Sequence, residues 1–176
     1  MSKKLLNTVE IGELIRTLRI LFKYHQDLQS RTEVAKFIQR PKIPPFLSES
    51  LVVDLGNRGI LESLECSNFD LSSSNGDVVA VSSNGKVKIE VKATAQSAFQ
   101  LFSNKDIDSD FLVWVHFNRY FEDDTNHEIE IFTLREPKRF FSQSRKITLA
   151  VFKKQGGKSI TSIRVDLDQY TRNLPK

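Results

Sequence analysis

The segment Lys86-Val87-Lys88-Ile89-Glu90-Val91-Lys92 alternates strictly between apolar and charged residues. A period of two is the mark of an extended strand with one face on a core. Ser82-Ser83-Asn84-Gly85 immediately before it has turn chemistry, and Asp77-Val78-Val79-Ala80-Val81 before that has strong β-propensity. The pair is therefore expected to form an antiparallel hairpin. On its second strand Val87, Ile89 and Val91 point to one face, and Lys86, Lys88, Glu90 and Lys92 to the other. A hairpin of this kind can carry Asp77 and the triplet Glu90-Val91-Lys92 to one patch of sheet, in the pattern D-x12-E-x-K.

The chain around the hairpin reads as alternating helices and strands. Leu14, Ile15, Leu18, Leu21 and Phe22 make the stripe of an amphipathic helix from Val9 to about Gln29, with Arg16, Arg19 and Lys23 on another face. Ser30-Arg31-Thr32-Glu33 has capping-box spacing and predicts a second, shorter helix through Val34, Phe37 and Ile38. The proline-rich stretch Arg40 to Phe46 then separates an N-terminal helical region, residues 1–46, from a main domain, residues 47–176. A third helix is expected from Ser48 towards Leu64, weakened by Gly56 and Gly59, with Glu49 on its apolar face. Phe111 to Phe117 is almost wholly apolar and predicts a central buried strand. Glu128 to Leu134 alternates, a short helix anchored by Phe140 and Phe141 follows Pro137, and Ile147–Phe152 with Ile160–Val165 suggests a late hairpin. This order describes an α/β core with a central mixed sheet flanked by helices. G-x-G-x-x-G and G-x-x-x-x-G-K-[ST] are both missing, which argues against Rossmann and P-loop units.

Two carboxylates with neither a histidine nor a thiol beside them are hard oxygen ligands, suited to Mg²⁺ or its substitute Mn²⁺ rather than to zinc. Asp77 and Glu90 are the proposed ligands, the Val91 carbonyl completes the shell, and Glu49 is a further carboxylate in reach. Lys92, two residues after Glu90 on the same face, would orient a water and offset charge developing at phosphorus. Cross-strand Lys–carboxylate pairing gives the same residue types a purely structural use. Asp70 competes with Asp77 for the first carboxylate, and Asp77 is favoured because it heads the strand that pairs with Glu90.

Bulk properties restrict the setting. At 39% hydrophobic and 27% charged, the chain reads as a soluble domain. No apolar run approaches the ~20 residues of a membrane span, and a cytoplasmic location is expected. The single cysteine, Cys66, excludes an intrachain disulfide and any multi-cysteine zinc site. The net charge of +4 is concentrated in residues 1–46, where nine lysines and arginines face four acidic residues. Such a bias suits phosphate contact as well as a solvated helix surface. His116 is expected as a core residue and His127 as part of an acidic surface turn.

Taken together, the helix carrying Glu49, the strand headed by Asp77 and the Glu90-Val91-Lys92 strand resemble the PD-(D/E)XK nuclease superfamily over Ser48 to Leu134. Glycine, in Asn75-Gly76-Asp77, stands where the family has proline. The small and hydroxyl residues after Lys92, Ala93-Thr94-Ala95-Gln96-Ser97, are most similar to those of small type II restriction endonucleases. The resemblance implies a restriction-endonuclease-like core, Mg²⁺-dependent hydrolysis of double-stranded DNA at a short palindromic site, and a homodimer matching its two-fold symmetry. Backbone contacts would come from Arg16, Arg19, Lys23, Arg40 and Lys42, and base contacts from Gln96, Ser97, Gln100, Asn104 and Lys105 in a polar loop. The first helix could instead serve the dimer through Ile11, Leu14, Leu18 and Leu21. Two alternatives stand beside this reading: a structure-specific or repair nuclease such as a junction resolvase, and a non-catalytic nucleic-acid-binding module.

Overall fold

The computed structural model of the protein describes residues 5–33, 37–72, 77–96, 99–143, 145–172 and 174. Helices α1 (Thr8–Arg31) and α2 (Pro45–Asn57) come first, followed by strands β1 (Cys66–Leu71), β2 (Val78–Ser82), β3 (Gly85–Ala95) and β4 (Phe99–Phe102). Helix α3 (Asn104–Ile107) leads to β5 (Phe111–Asn118) and β6 (Glu128–Arg135), and β7 (Arg145–Thr148), α4 (Leu149–Gly156) and β8 (Ile160–Asp166) complete the order. Six strands make a mixed sheet in the order β1-β2-β3-β5-β6-β8, with β4 and β7 as a separate ribbon. Neighbours in the large sheet are antiparallel except β3 and β5, which run parallel.

The apolar run of β5 is central because both faces of the sheet are covered. Phe111, Val113, Val115 and Phe117 join Ile89 and Val91 of β3 in a core shared with α1 and α2. Leu112 and Trp114 point the other way, into a second core with Phe102, Phe141 and Phe152. That second core is roofed by the β4–β7 ribbon, α3 and α4. Phe102 and Phe141 meet edge to face with centroids 5.2 Å apart, Trp114 and Phe152 are tilted at 5.3 Å, and Phe141 and Phe152 are stacked at 6.0 Å.

Local chemistry accounts for the element ends. Asn7 caps α1 by accepting from the Val9 and Glu10 N–H groups, and Glu10 returns a bond to the Asn7 N–H. Pro45 opens α2 at a position where its missing N–H costs nothing. Ser83-Asn84 forms the two-residue turn between β2 and β3, closed by the Ser82–Gly85 pair with Gly85 at φ +111°. Two helical glycines mark close approach: a Cβ on Gly12 would stand 2.1 Å from the Tyr170 carbonyl oxygen, and one on Gly56 2.6 Å from the Phe69 ring.

Several sequence expectations are revised. Helix α1 is not set apart from the main domain, since Ile11, Ile15, Leu18 and Phe22 belong to the first core. Ile11 and Leu18 are therefore unavailable to a second copy, whereas Leu21 is 47% exposed. Of the expected second helix, residues 34–36 lie outside the described residues, and Phe37 and Ile38 are exposed rather than packed. Helix α2 stops at Asn57, so Gly56 ends it against Phe69 instead of interrupting a longer helix. Strand β1 pairs with β2 at the sheet edge where no strand is expected from the sequence. The late hairpin is replaced by β7, α4 and β8, because Gly156-Gly157 terminates a helix and β8 pairs with β6. The loop after Lys92 contains β4 and the start of α3. No helix among the described residues is long and apolar enough to cross a membrane.

Candidate active site

The antiparallel ladder between β2 and β3 runs as far as Val78–Ile89. Beyond it the Val91 N–H faces an edge that β2 no longer covers, and the Asp77 carboxylate, half-buried, accepts that N–H at 3.0 Å. The Val91 carbonyl leaves the strand by the same edge. Asp77 thus caps the strand pair at the point where Glu90 begins the E-x-K triplet. Asp70 is exposed, and among the described residues its carboxylate accepts the neighbouring Leu71 N–H and takes no part in this patch.

Glu90 and Lys92 share the second face of the sheet, and the roof closes over them. Lys92 Nζ lies 2.8 Å from Glu90 Oε1 and 2.8 Å from Asp106 Oδ2. Asp106 reaches this position from α3, where it also accepts the Ser103 N–H at 2.8 Å in a capping box. Glu90 and Asp106 are 5% and 6% exposed, so the lysine is clasped between two buried carboxylates. The alternation is real, with Lys86 and Lys88 exposed on the polar face, but Glu90 and Lys92 of that face lie under the roof.

Burial dominates the electrostatics. It pushes the Glu90 carboxyl up to about 7 against the opposing pull of Lys92, with the charge of Asp77 and the hydrogen bond to Asp106 adding to the rise. Burial alone would lower Lys92, but its hydrogen bonds to Asp106 and Glu90 outweigh that and hold it above the usual lysine range. For Asp106 burial is likewise overcome, chiefly by Lys92 and the Ser103 backbone, and its carboxyl sits below the usual range. Asp106 is therefore the ionised partner of Lys92, and Glu90 the carboxyl that holds a proton near neutrality.

The oxygen donors of Asp77, Glu90 and Val91 fit a hard divalent cation in chemical type. Glu49 is buried on α2. Among the described residues no three His, Cys, Asp or Glu side chains are grouped closely enough to hold a metal, so Glu49 is not assembled with Asp77 and Glu90 into a ready-made ligand set. A cation at Glu90 would have to compete with the Lys92 ammonium for Oε1.

The expected DNA-contacting residues divide into groups. Arg19 is committed to the fold: it donates to the Tyr120 and Asn126 carbonyls, pairs with Asp168 at 3.4 Å and stacks 4.0 Å from the Tyr120 ring. Lys23 pairs with Asp124, and Gln100 donates to the Ala93 carbonyl at 2.6 Å. Gln96 bridges Arg40 and Glu122. Arg16, Lys42, Asn104 and Lys105 are exposed, and Ser97 lies outside the described residues. His116 is half-buried and bonded to Thr94, which also accepts from Trp114. His127 is an exposed partner of Asp168. Sequence reasoning missed Asp106, although the Ser103-x-x-Asp106 spacing of a helix start was present to be read.

Comparison with known protein families, with curated proteins and with solved structures returns no match. The site must be interpreted from its own geometry.

Proposed function

We propose that the protein is a divalent-metal-dependent nuclease acting on double-stranded DNA, with a restriction-endonuclease-like core and, in the finer assignment, the activity of a Mg²⁺-dependent type II restriction endonuclease. The observation that carries this reading is the convergence of Asp77, Glu90 and Lys92 at the end of the β2–β3 ladder, with the Glu90 carboxyl pushed up to about 7. Perturbed carboxylates gathered beside a lysine are what hydrolytic sites tend to contain. Asp77, Glu90 and the Val91 carbonyl would hold the metal. When bound, such an ion polarises a phosphate oxygen and makes hydroxide available near neutral pH. Lys92 would hold its charge towards the phosphorane, and Asp106 keeps that charge in place from behind. A homodimer would present two such sites to a palindrome.

The test is incubation of the protein with Mg²⁺ and a long DNA of known sequence, followed by sequencing of the fragment ends. Discrete 5′-phosphate fragments sharing one sequence are expected. Cleavage that follows DNA structure instead of sequence would move the assignment to a resolvase-like nuclease. Mg²⁺-dependent cleavage that survives both Asp77→Ala and Lys92→Ala would sink the catalytic assignment. One observation favours a non-catalytic binding module: Lys92 is closed between Glu90 and Asp106, and the cluster lines none of the main clefts among the described residues. DNA binding without cleavage in Mg²⁺ or Mn²⁺ would establish that reading.

A further inference from the structure

A cleft of about 900 Å³ among the described residues lies away from the carboxylate cluster, at the carboxyl ends of the parallel strands β3 and β5. Crevices outside the carboxyl ends of parallel strands are where α/β sheets take ligands. Two features show that this one is built. The strands end in Gln96 and Asn118, both in the left-handed region at φ +59° and +51°, and both lining the cleft. Their backbones are tied by the Gln96 N–H donating to the Asn118 carbonyl at 3.1 Å. A non-glycine residue held there costs energy that the surroundings must offset, and a glutamine has less excuse for it than an asparagine. The Gln96 side chain is in turn held by Arg40 and Glu122.

The lining chemistry selects a ligand class. Phe99 is 53% exposed on β4 and offers an aromatic surface. Arg119 is exposed, and its guanidinium makes no ion pair or hydrogen bond with the other described residues. Lys153 stands 4.0 Å from the Phe132 ring centroid with a long 3.9 Å approach to Glu130. Glu122, the acidic residue of the lining, is already neutralised by Arg40. The surplus is cationic. His116 adds a ring that burial keeps neutral, with its pKa held below the usual histidine range. An aromatic platform, neutral donors and acceptors, and two available cations together match a heteroaromatic base carrying a phosphate, and match neither an apolar ligand nor a cation.

We propose that this cleft binds a nucleotide unit, its base against Phe99 with an edge on Gln96 and Asn118, and its phosphate held by Arg119 and Lys153. The unit can be one nucleotide unstacked from DNA or a free nucleoside 5′-phosphate, and the first source rests on the DNA reading above. Gln96 follows the last residue of β3 and is four residues beyond Lys92, roughly 13 Å along the strand direction. A strand of DNA passing the carboxylate cluster would therefore have a nucleotide within reach of the cleft.

The experiment is calorimetric titration of the intact protein with each of the four deoxynucleoside 5′-monophosphates and with inorganic phosphate. Saturable binding of at least one nucleotide, tighter than phosphate, is expected. Phe99→Ala and Arg119→Ala, both at exposed positions that leave the fold intact, should each weaken it about tenfold through loss of stacking or of a charged hydrogen bond. Glu90→Gln, remote from the cleft, should leave it unchanged. No saturable binding, phosphate binding as tight as any nucleotide, or affinity indifferent to both cleft substitutions would overturn the proposal. The source is read from duplexes carrying 2-aminopurine at successive positions and bound to Glu90→Gln. A fluorescence rise abolished by adding Phe99→Ala identifies DNA as the source, and nucleotide binding without that rise identifies the free nucleotide. Nucleotide binding by a protein that never cleaves DNA would retain the cleft and remove the nuclease. Cleavage by a protein whose cleft binds no nucleotide would do the reverse.

Discussion

The two faces of the central sheet use the same strands for opposite purposes. On the first face Ile89, Val91, Val113 and Val115 meet α1 and α2 in an apolar core, although Glu49 of α2 is buried as well. On the second, Leu112 and Trp114 sit beneath an aromatic roof, yet Glu90, Lys92 and Asp106 are buried beside them. An apolar face gains from burial in proportion to its area, whereas a buried ion cluster at best offsets its own desolvation. The first face therefore explains the stability of the fold. The second carries charges that the gain from apolar burial does not account for.

The sharpest attack on that contrast is Lys92→Ala. It leaves two carboxyls buried without their cation, which should cost about 3–5 kcal/mol. If the site is catalytic, it should also lower cleavage roughly 10²–10³-fold, as loss of a preorganised electrostatic group does. The discriminating control is the triple variant Glu90→Gln, Lys92→Met, Asp106→Asn. Equilibrium denaturation should show most of the stability restored while cleavage stays lost. A triple variant as unstable as Lys92→Ala would make the cluster structural and erase the difference between the faces. Next in size, Phe102→Ala in the second core should cost about 3–5 kcal/mol and Leu51→Ala in the first about 2–5 kcal/mol. Only Phe102→Ala should also disturb cleavage, because Ser103 and Asp106 follow it into the site. Equal effects of both on cleavage per folded molecule would mean that the roof does not position the cluster.

How much of this was legible in the sequence depended on whether the signal was local. The β2–β3 hairpin, the place of Asp77 beside the E-x-K strand and the two-sided burial of β5 follow from alternation, turn residues and an unbroken apolar run, all of which act within a few positions. The roof does not. Phe99–Phe102 and Arg145–Thr148 become strands only by pairing with each other across more than forty residues, and neither has a periodic pattern long enough to announce itself. With the roof unseen, nothing in the sequence covered Glu90 and Lys92, and Asp106, which arrives on the roof, was missed. Arg19 shows the same limit: its place on a basic helix face suggested phosphate, but Tyr120, Asn126 and Asp168, over a hundred residues away, had already claimed it.

The faces should also differ in their response to pH. Glu90 has a folded-state pKa of about 7 against 4.5 in the unfolded chain. The folded protein therefore holds more protons than the unfolded one between those values, and stability falls as pH rises through that window. A loss of roughly 1–2 kcal/mol is expected, discounted for the solvent-facing edge of the cluster. Glu90→Gln should flatten the profile, and Leu51→Ala should shift it downward without changing its shape. Metal binding needs the ionised carboxylate, so cleavage should climb with pH across the range where stability declines. A stability profile unchanged by Glu90→Gln would show that Glu90 does not carry the second face's proton.

The smallest effect expected is at the rim. Lys23 and Asp124 form an exposed pair, so Lys23→Ala should cost only about 0.2–1 kcal/mol. Arg19→Ala should cost more, because it removes two carbonyl bonds, an ion pair and a ring contact joining α1 to the end of the sheet. Neither residue should alter the salt dependence of DNA binding if both serve the fold. Lys42 and Lys105, exposed outside α1, are the contrasting positions. Replacing either with alanine should leave stability within about 0.5 kcal/mol and reduce the slope of log affinity against log salt by about 1 if it contacts a phosphate. A reduced slope for Arg19→Ala and none for Lys42→Ala or Lys105→Ala would return the basic face of α1 to the DNA and detach it from the first core's support.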